Sequence, residues 1–511
     1  MYLFNFHEEV KARRGGTKAN IALARKFLDV IYRILKNKWI FEDFTQFKLN
    51  NLKRTKKLRI GVEIYHRRFS MFQFGYAQEI ITPPVGVGLS GYFNKRPNKG
   101  MYDDLYVKVI VIESAGTRFG FMTFDLLGYS GELIEEVGKR IVEKFGRELF
   151  ESIIICADHT HTGPEYGKPG EADERTRYAF NAAADAAMQA LTRAVMNLQP
   201  GEIEIGSVYN NPYGFIRRYW MKDGTIVTNP GWRNPEIDRP ESDYDRTIGI
   251  LALKQNGHLA ALICNIANHG DTIGGDLVSA DWYGRFAQEI QYQLKTSLPV
   301  MVLDDASGDI NHFDLRQDIH QTSYDEAVRI GRGYAAIVLD QLDKLEKLKE
   351  EPVTVRNTVV SIPHRKISPE ELAEAKHLLA TIPDTGHSGD FESQDLARKV
   401  PAALRYFAQR TVDCHDKSTP AHDCRLTSIR LGDQVVFASL PGEPFSGIGA
   451  AIRAGNPCRY TFIAELAQSF SGYVPMGECF TRGGYEVQPD VNSVAPEAAD
   501  IIIQASLKNI L

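Results

Sequence analysis

The sequence predicts an α/β fold: a large mixed sheet covered by helices on both faces, preceded by a basic helical extension. Three observations lead there. Short, nearly continuous apolar runs alternate with segments of helical periodicity, the pattern of strands buried on both faces and interleaved with helices. The chain is 511 residues long, 43% hydrophobic and 24% charged, enough to bury a large core and ordinary for a globular protein. Charge is also segregated. Residues 1–60 hold 15 Lys+Arg against 5 Asp+Glu, a net +10, and the remainder carries a net −15. Two parts with different partners or histories are expected, a basic helical extension over 1–70 and one functional module over 71–511.

In the first part, Ile21, Ala24, Leu28, Ile31 and Leu35 recur at helical spacing among Arg25, Lys26, Arg33 and Lys36, followed by the basic run Lys53–Lys57. A basic amphipathic helix reads either as a nucleic-acid contact or as a solvated helix packed by its apolar stripe. From Met71 a longer series opens. Tyr106–Ile112 and Phe119–Leu126, joined through Ala115-Gly116-Thr117, read as a hairpin. Glu132–Phe145 is a helix, Ile153–Cys156 a buried strand and 174–198 an Ala-rich helix. Glu202–Tyr209, Thr247–Lys254 and Leu259–Asn268 are strands. Asp281–Leu294 is a helix, Pro299–Asp305 a strand and 323–345 another helix. Ser368–Ala380 and Gln394–Gln409 are helical, and Cys424–Leu431, Gln434–Leu440 and Arg459–Leu466 close the chain as strands. No run is long enough to span a bilayer, and the N-terminus lacks the layout of a signal peptide, so a soluble, cytoplasmic protein is expected.

Chemistry concentrates where strands end. In open α/β sheets, ligands gather beyond the carboxyl ends of strands. The strand Ile153–Cys156 runs into His159 and His161, then turns at Gly163-Pro164. Paired histidines of this kind are either zinc ligands or loop residues satisfied by backbone groups. The same pattern recurs: Leu262–Asn268 runs into His269, Val435–Leu440 into Glu443, Tyr460–Leu466 into Tyr473, and Val300–Asp305 into Ala306-Ser307-Gly308-Asp309. Two histidines, a carboxylate and a further oxygen ligand make a catalytic zinc site when one position stays open for water. A parallel arrangement would bring these ends together. Elsewhere, Cys414, His415, His422 and Cys424 crowd one segment, but their order matches no zinc spacing. The glycine-rich His269–Gly275 lacks the Lys-Ser/Thr ending of a phosphate-binding loop.

His159–Pro164, Asn268–Asp281, Ala306–Asn311 and Leu440–Pro444, with Ile81–Tyr92, resemble the neutral/alkaline non-lysosomal ceramidases in order and spacing over about residues 71–500. The resemblance implies a zinc amidohydrolase cleaving the N-acyl bond of a ceramide-like lipid amide, with Zn2+ held by His159, His269, Glu443 and Tyr473, Tyr485 being the alternative tyrosine. It implies that His161 and Arg217 line the active site as acid/base or oxyanion groups. Asp309, with Asp271, is a candidate to orient a ligand imidazole. Where the family carries Gly-Asp-Val-Ser, this chain has Gly308-Asp309-Ile310-Asn311, so Asn311 offers an oxyanion donor in place of a nucleophilic hydroxyl. The family also continues into a C-terminal β-sandwich, whereas this sequence ends at Leu511. These departures leave open a soluble bacterial hydrolase of the same site acting on another polar amide, ester or glycoconjugate. A nucleic-acid-binding protein with a vestigial hydrolase module is the less favoured reading. Separately, Lys11–Asn37 resembles the C-terminal end of bacterial insertion-sequence transposases, without a catalytic carboxylate.

Overall fold

Strands whose every residue is apolar need cover on both sides, and two sheets provide it. The computed structural model describes residues 72–511 apart from 95, 129–130, 168–169, 385–392, 417–420 and 469–471. The predicted basic helix and the transposase-like stretch lie outside the described residues. All described residues fall in a unit running from Ser70 to Leu511.

The large sheet is built from β1 (Phe72–Ile80), β2 (Tyr106–Ser114), β3 (Thr117–Phe124), β4 (Ile153–Ala157), β5 (Gln199–Tyr209), β6 (Thr247–Gln255), β7 (His258–Ile266) and β8 (Val300–Asp304). Their order across it is β8-β7-β6-β5-β1-β2-β3-β4, with the short strand Glu346–Lys347 added to β5. The sheet is mixed. Only the outer pairs β3/β4 and β7/β8 are parallel, and the interior is antiparallel. The sheet curls until β8 approaches β3 and β4. The predicted hairpin is β2–β3, turning at Ala115 and Gly116, both at positive φ.

One face of this sheet is covered by helices α1 (Gly131–Phe145), α2 (Glu174–Met196), α3 (Asp281–Leu294) and α4 (Tyr324–Gln341). Val107, Val109 and Val111 of β2 point at α1 and α2, while Ile110 and Ile112 point the other way, as strand alternation requires. The Ala-rich α2 lies close against β1: a Cβ on Gly75 would stand 2.0 Å from the Ala194 carbonyl oxygen. Asp173 caps α2 by accepting from Thr176 N–H, and Ser323 caps α4 by accepting from Glu326 N–H.

The opposite face meets a second sheet, β9 (Val353–Pro363), β10 (Ala421–Leu431), β11 (Val435–Ser439) and β12 (Tyr460–Ala464), in that order. Phe437 and Phe462 pack onto Phe121 and Leu251 in the shared core. Fully burying such side chains is worth about 1.5–3 kcal/mol each. In the chain, helices α5 (Pro369–Thr381) and α6 (Pro401–Asp416) connect β9 to β10 and pair with each other. The outer side of the second sheet is covered by α7 (Ser446–Gly455) and α8 (Ala498–Ile510) through Ile448, Ile452 and Ile502. Helices thus lie on both outer sides, the second set reached through a sheet. No described helix is long and apolar enough to cross a membrane.

Candidate metal centre and its cavity

The carboxyl ends of β4, β7, β8, β11 and β12 meet because the chain after β12 stitches them together. Glu465 N–H donates to Asp304 O at the end of β8, Leu466 N–H to Gly442 O, Ala467 N–H to Leu440 O beyond β11, and Gln468 N–H to Ile155 O of β4. A parallel bridge between Thr160 and Gly270, with His161 N–H donating to Gly270 O (2.9 Å), ties the two histidine-bearing loops. The approach is so close that a Cβ on Gly270 would stand 2.5 Å from the His159 carbonyl oxygen.

His159 sits at φ +73°, a left-handed conformation that costs an L-residue about 1–3 kcal/mol. The turn aims its ring inward. Its Nδ1 lies 2.7 Å from Leu127 O. A carbonyl only accepts, so Nδ1 carries the proton and Nε2 presents a lone pair. That Nε2 faces His269 Nε2 at 2.9 Å. Glu443 Oε2 stands 3.3 Å from His159 Nε2 and 3.9 Å from His269 Nε2. His161 is the third member, with a ligating atom within 4.8 Å of those of His159 and His269. Its Nδ1 is 3.1 Å from Gly91 O and 3.6 Å from Asp271 Oδ1, so its Nε2 also carries a lone pair, buried and without a partner. Asp271 in turn accepts from Tyr92 O–H (2.6 Å).

Burial, then the neighbouring His159, pushes the His161 and His269 imidazoles well below the usual range, leaving them neutral. Against the upward push of burial, neighbouring positive charge, Arg217 included, holds the Glu443 carboxyl below its ordinary value. A proton shared between the two Nε2 atoms would still leave Glu443 Oε2 buried without a hydrogen-bond partner. A cation at the common point satisfies both nitrogens and the carboxylate, so this donor set fits a metal ion.

Glu443 and Tyr473 are partners on a short parallel ladder, with Glu443 N–H donating to Gly472 O (2.9 Å). Tyr473 therefore stands beside the carboxylate, and both it and Tyr485 line a cavity of about 500 Å³ that His161, His269 and Arg217 also reach. The two tyrosine rings are 5.8 Å apart, supported from behind by Ala403 and Phe407 of α6. The Arg217 guanidinium lies 4.8 Å over the Tyr473 ring and shares a side-chain hydrogen bond with it. Asn311 lines the cavity too, donating through Nδ2 to Asn229 Oδ1 (2.8 Å).

Asp309 is placed elsewhere. Its carboxylate accepts from Ser446 N–H (2.7 Å) and Ser446 Oγ–H (3.0 Å) at the start of α7. It positions the segment after Glu443 and is not among the cavity-lining residues, because the helix start competes successfully for the carboxylate. Three participants were not singled out from the sequence: Tyr92 behind Asp271, His312 in the cavity wall, and Glu486, which faces Arg217. None follows an apolar strand closely enough to be flagged by the strand-end pattern; the contacts of Tyr92 and Glu486 span a long stretch of chain, whereas His312 is held locally against Gln321 O.

No protein-family model matches the sequence, and no curated protein matches it. Solved structures do. The neutral ceramidase from Pseudomonas aeruginosa superposes with a TM-score of 0.65 at 19% identity, over 86% of this chain and 74% of that one. A ceramidase complexed with C2 gives 0.63 at 18% identity, over 86% and 75%. At these identities the likeness is one of fold: the chain has a ceramidase-like fold.

Proposed function

We propose that the protein is a zinc-dependent hydrolase that cleaves an N-acyl amide bond of a ceramide-like substrate. The observation that carries this reading is the convergence of neutral imidazole lone pairs and the Glu443 carboxylate at one buried point opening onto the cavity. The ceramidase-like fold supports it as an analogy. His159, His269, Glu443 and Tyr473 are the proposed holders of the metal. When bound there, zinc supplies Lewis acidity and a water made acidic enough to attack at neutral pH.

The chain's own groups do the rest. His161, its Nδ1–H facing Gly91 O, keeps its Nε2 lone pair available to take a proton and return it to the leaving nitrogen. Arg217 offers a fixed donor where negative charge develops on the carbonyl oxygen. Asn311, anchored on Asn229, adds an amide dipole at the same wall. Aromatic walls from Phe93, Trp232, Phe313 and Tyr485 accept an acyl or alkyl chain and exclude water.

A second reading keeps the site and changes the substrate to a more polar, water-soluble amide. Asn311 favours it, because it places an amide on the cavity wall where a ceramide hydrolase of this pattern carries a hydroxyl. A panel of N-acylsphingosines and water-soluble N-acyl compounds, assayed with zinc-loaded protein, separates the two. Turnover confined to N-acylsphingosines supports the first, turnover confined to the soluble compounds the second, and none with either contradicts both.

A further inference from the structure

Glu486 is a fully buried carboxylate in the single turn Tyr485–Val487, directly behind the cavity wall. Its Oε1 stands 2.9 Å from Arg217 Nε. Its Oε2 accepts from Arg218 Nη1 (2.6 Å) and from Thr228 Oγ–H (2.9 Å). Arg218 has its own counter-ion, Glu241, against its Nε (2.5 Å), and it also donates to Gly483 O (2.8 Å). Two buried guanidinium groups are thus matched by two buried carboxylates, and the one assigned to Arg217 is Glu486.

Arg217 is consequently not an open fork. Binding a carboxylate in two-point fashion needs two parallel N–H donors on one edge of the guanidinium. The Nε and Nη2 edge is occupied: Glu486 Oε1 stands against Nε as an ion-pair partner without hydrogen-bond alignment, and Nη2 donates to Gly308 O (2.9 Å). Tyr473 shares a further hydrogen bond. At most two N–H donors remain on the opposite edge, and the positive charge is already balanced by Glu486. Asp271 adds another carboxyl group to the same wall.

We infer that Glu486 is a positioning residue that sets the charge preference of the cavity: by balancing the charge of Arg217 and occupying its Nε side, it suits the guanidinium to the carbonyl of an uncharged amide and turns away substrates with a carboxylate beside the scissile bond. The inference rests on the reading of the site as an amide hydrolase with Arg217 at the carbonyl.

Two compounds with one acyl chain and similar head size test it: N-lauroylethanolamine, which is neutral, and N-lauroylglycine, which carries a carboxylate. With the zinc-loaded full chain, kcat/KM is expected to favour the neutral compound. Glu486→Gln should shift that ratio toward N-lauroylglycine by at least about tenfold, a modest share of what unpairing a buried charge produces. Glu241→Gln, which removes the counter-ion of Arg218 instead, should leave the ratio unchanged, whereas a merely structural role would move both variants alike. Calorimetric binding of both compounds to metal-free protein reads the same preference without turnover. Binding that prefers the neutral compound, with no turnover of either, would refute the hydrolase reading and leave this inference standing. A wild-type preference for N-lauroylglycine, no preference in binding, or an unchanged ratio in folded Glu486→Gln would overturn it.

Discussion

Two groups of histidines in this molecule show how far environment, rather than residue type, decides chemistry. His159, His161 and His269 are brought together by two loops, with the Nε2 atoms of His159 and His161 held as lone pairs by carbonyls behind their rings and Glu443 within reach. His364 and His422 are as close, their ring centroids 3.9 Å apart and tilted by 42° at the β9–β10 end. There, however, His422 Nε2 shares a hydrogen bond with Ser493 Oγ (3.0 Å), and no third ligand joins the pair among the described residues. Cys424, on the same strand as His422, is buried in the apolar core beneath α7 and α8, and burial pushes its thiol up to about 12. The first group can hold a cation. The second is a packed pair that binds two strands together.

The strongest way to break this contrast is to remove one residue from each group. His159→Ala and Glu443→Ala are expected to lower metal affinity by more than about 100-fold, beyond the cost of losing an outer partner alone, and to abolish activity with it. His364→Asn and His422→Asn should retain the wild-type metal content. Elemental analysis of the four purified variants decides the point, and equal loss in both sets would erase the distinction.

A smaller effect probes how the first group is held. A Cβ on Gly308 would stand 2.2 Å from the Glu443 carbonyl oxygen, so Gly308→Ala must displace the loop that carries the carboxylate. Overpacking of this kind costs about 1–3 kcal/mol. Gly308→Ala should therefore lower Tm and weaken metal binding together, as followed by thermal melts and chelator competition. A variant with unchanged metal affinity would show that the Ala306–Asn311 loop does not support the site.

The smallest effect belongs to the second group. Burial, then His364, lowers the His422 pKa from 6.5 to about 4. The folded state therefore favours the neutral ring. Its contribution to stability is complete above the unfolded value near 6.5 and is lost as pH falls from there toward about 4. His422→Asn should flatten the fall of Tm across that window without altering the metal site. An unchanged acid limb would mean that the pair carries no such linkage.

Much of this site was legible in the sequence because chemistry and strand ends coincide. His159, His269 and Glu443 each follow a largely apolar strand, and the structure brings them together. The expected route, parallel strands across one sheet, is realised in the outer pairs of the large sheet and in β11/β12 of the second. The apolar runs come from burial on both faces, and a sheet packed against a second sheet produces the same pattern as a sheet between helices. Asp309 satisfied the strand-end rule yet serves the start of α7, since an N-terminal backbone N–H competes well for a carboxylate. Glu486 and Tyr92 had no local signature. Their meaning lies wholly in side chains more than a hundred residues distant, Arg217 and Asp271.

The central claim is that the convergent imidazoles and Glu443 are a metal site. Zinc measured by elemental mass spectrometry in the full chain, as purified and again after chelation and resupply, tests it most directly. The account predicts about one zinc per chain, lost to chelator and regained in step with activity. A folded protein that takes up no metal after resupply would contradict it.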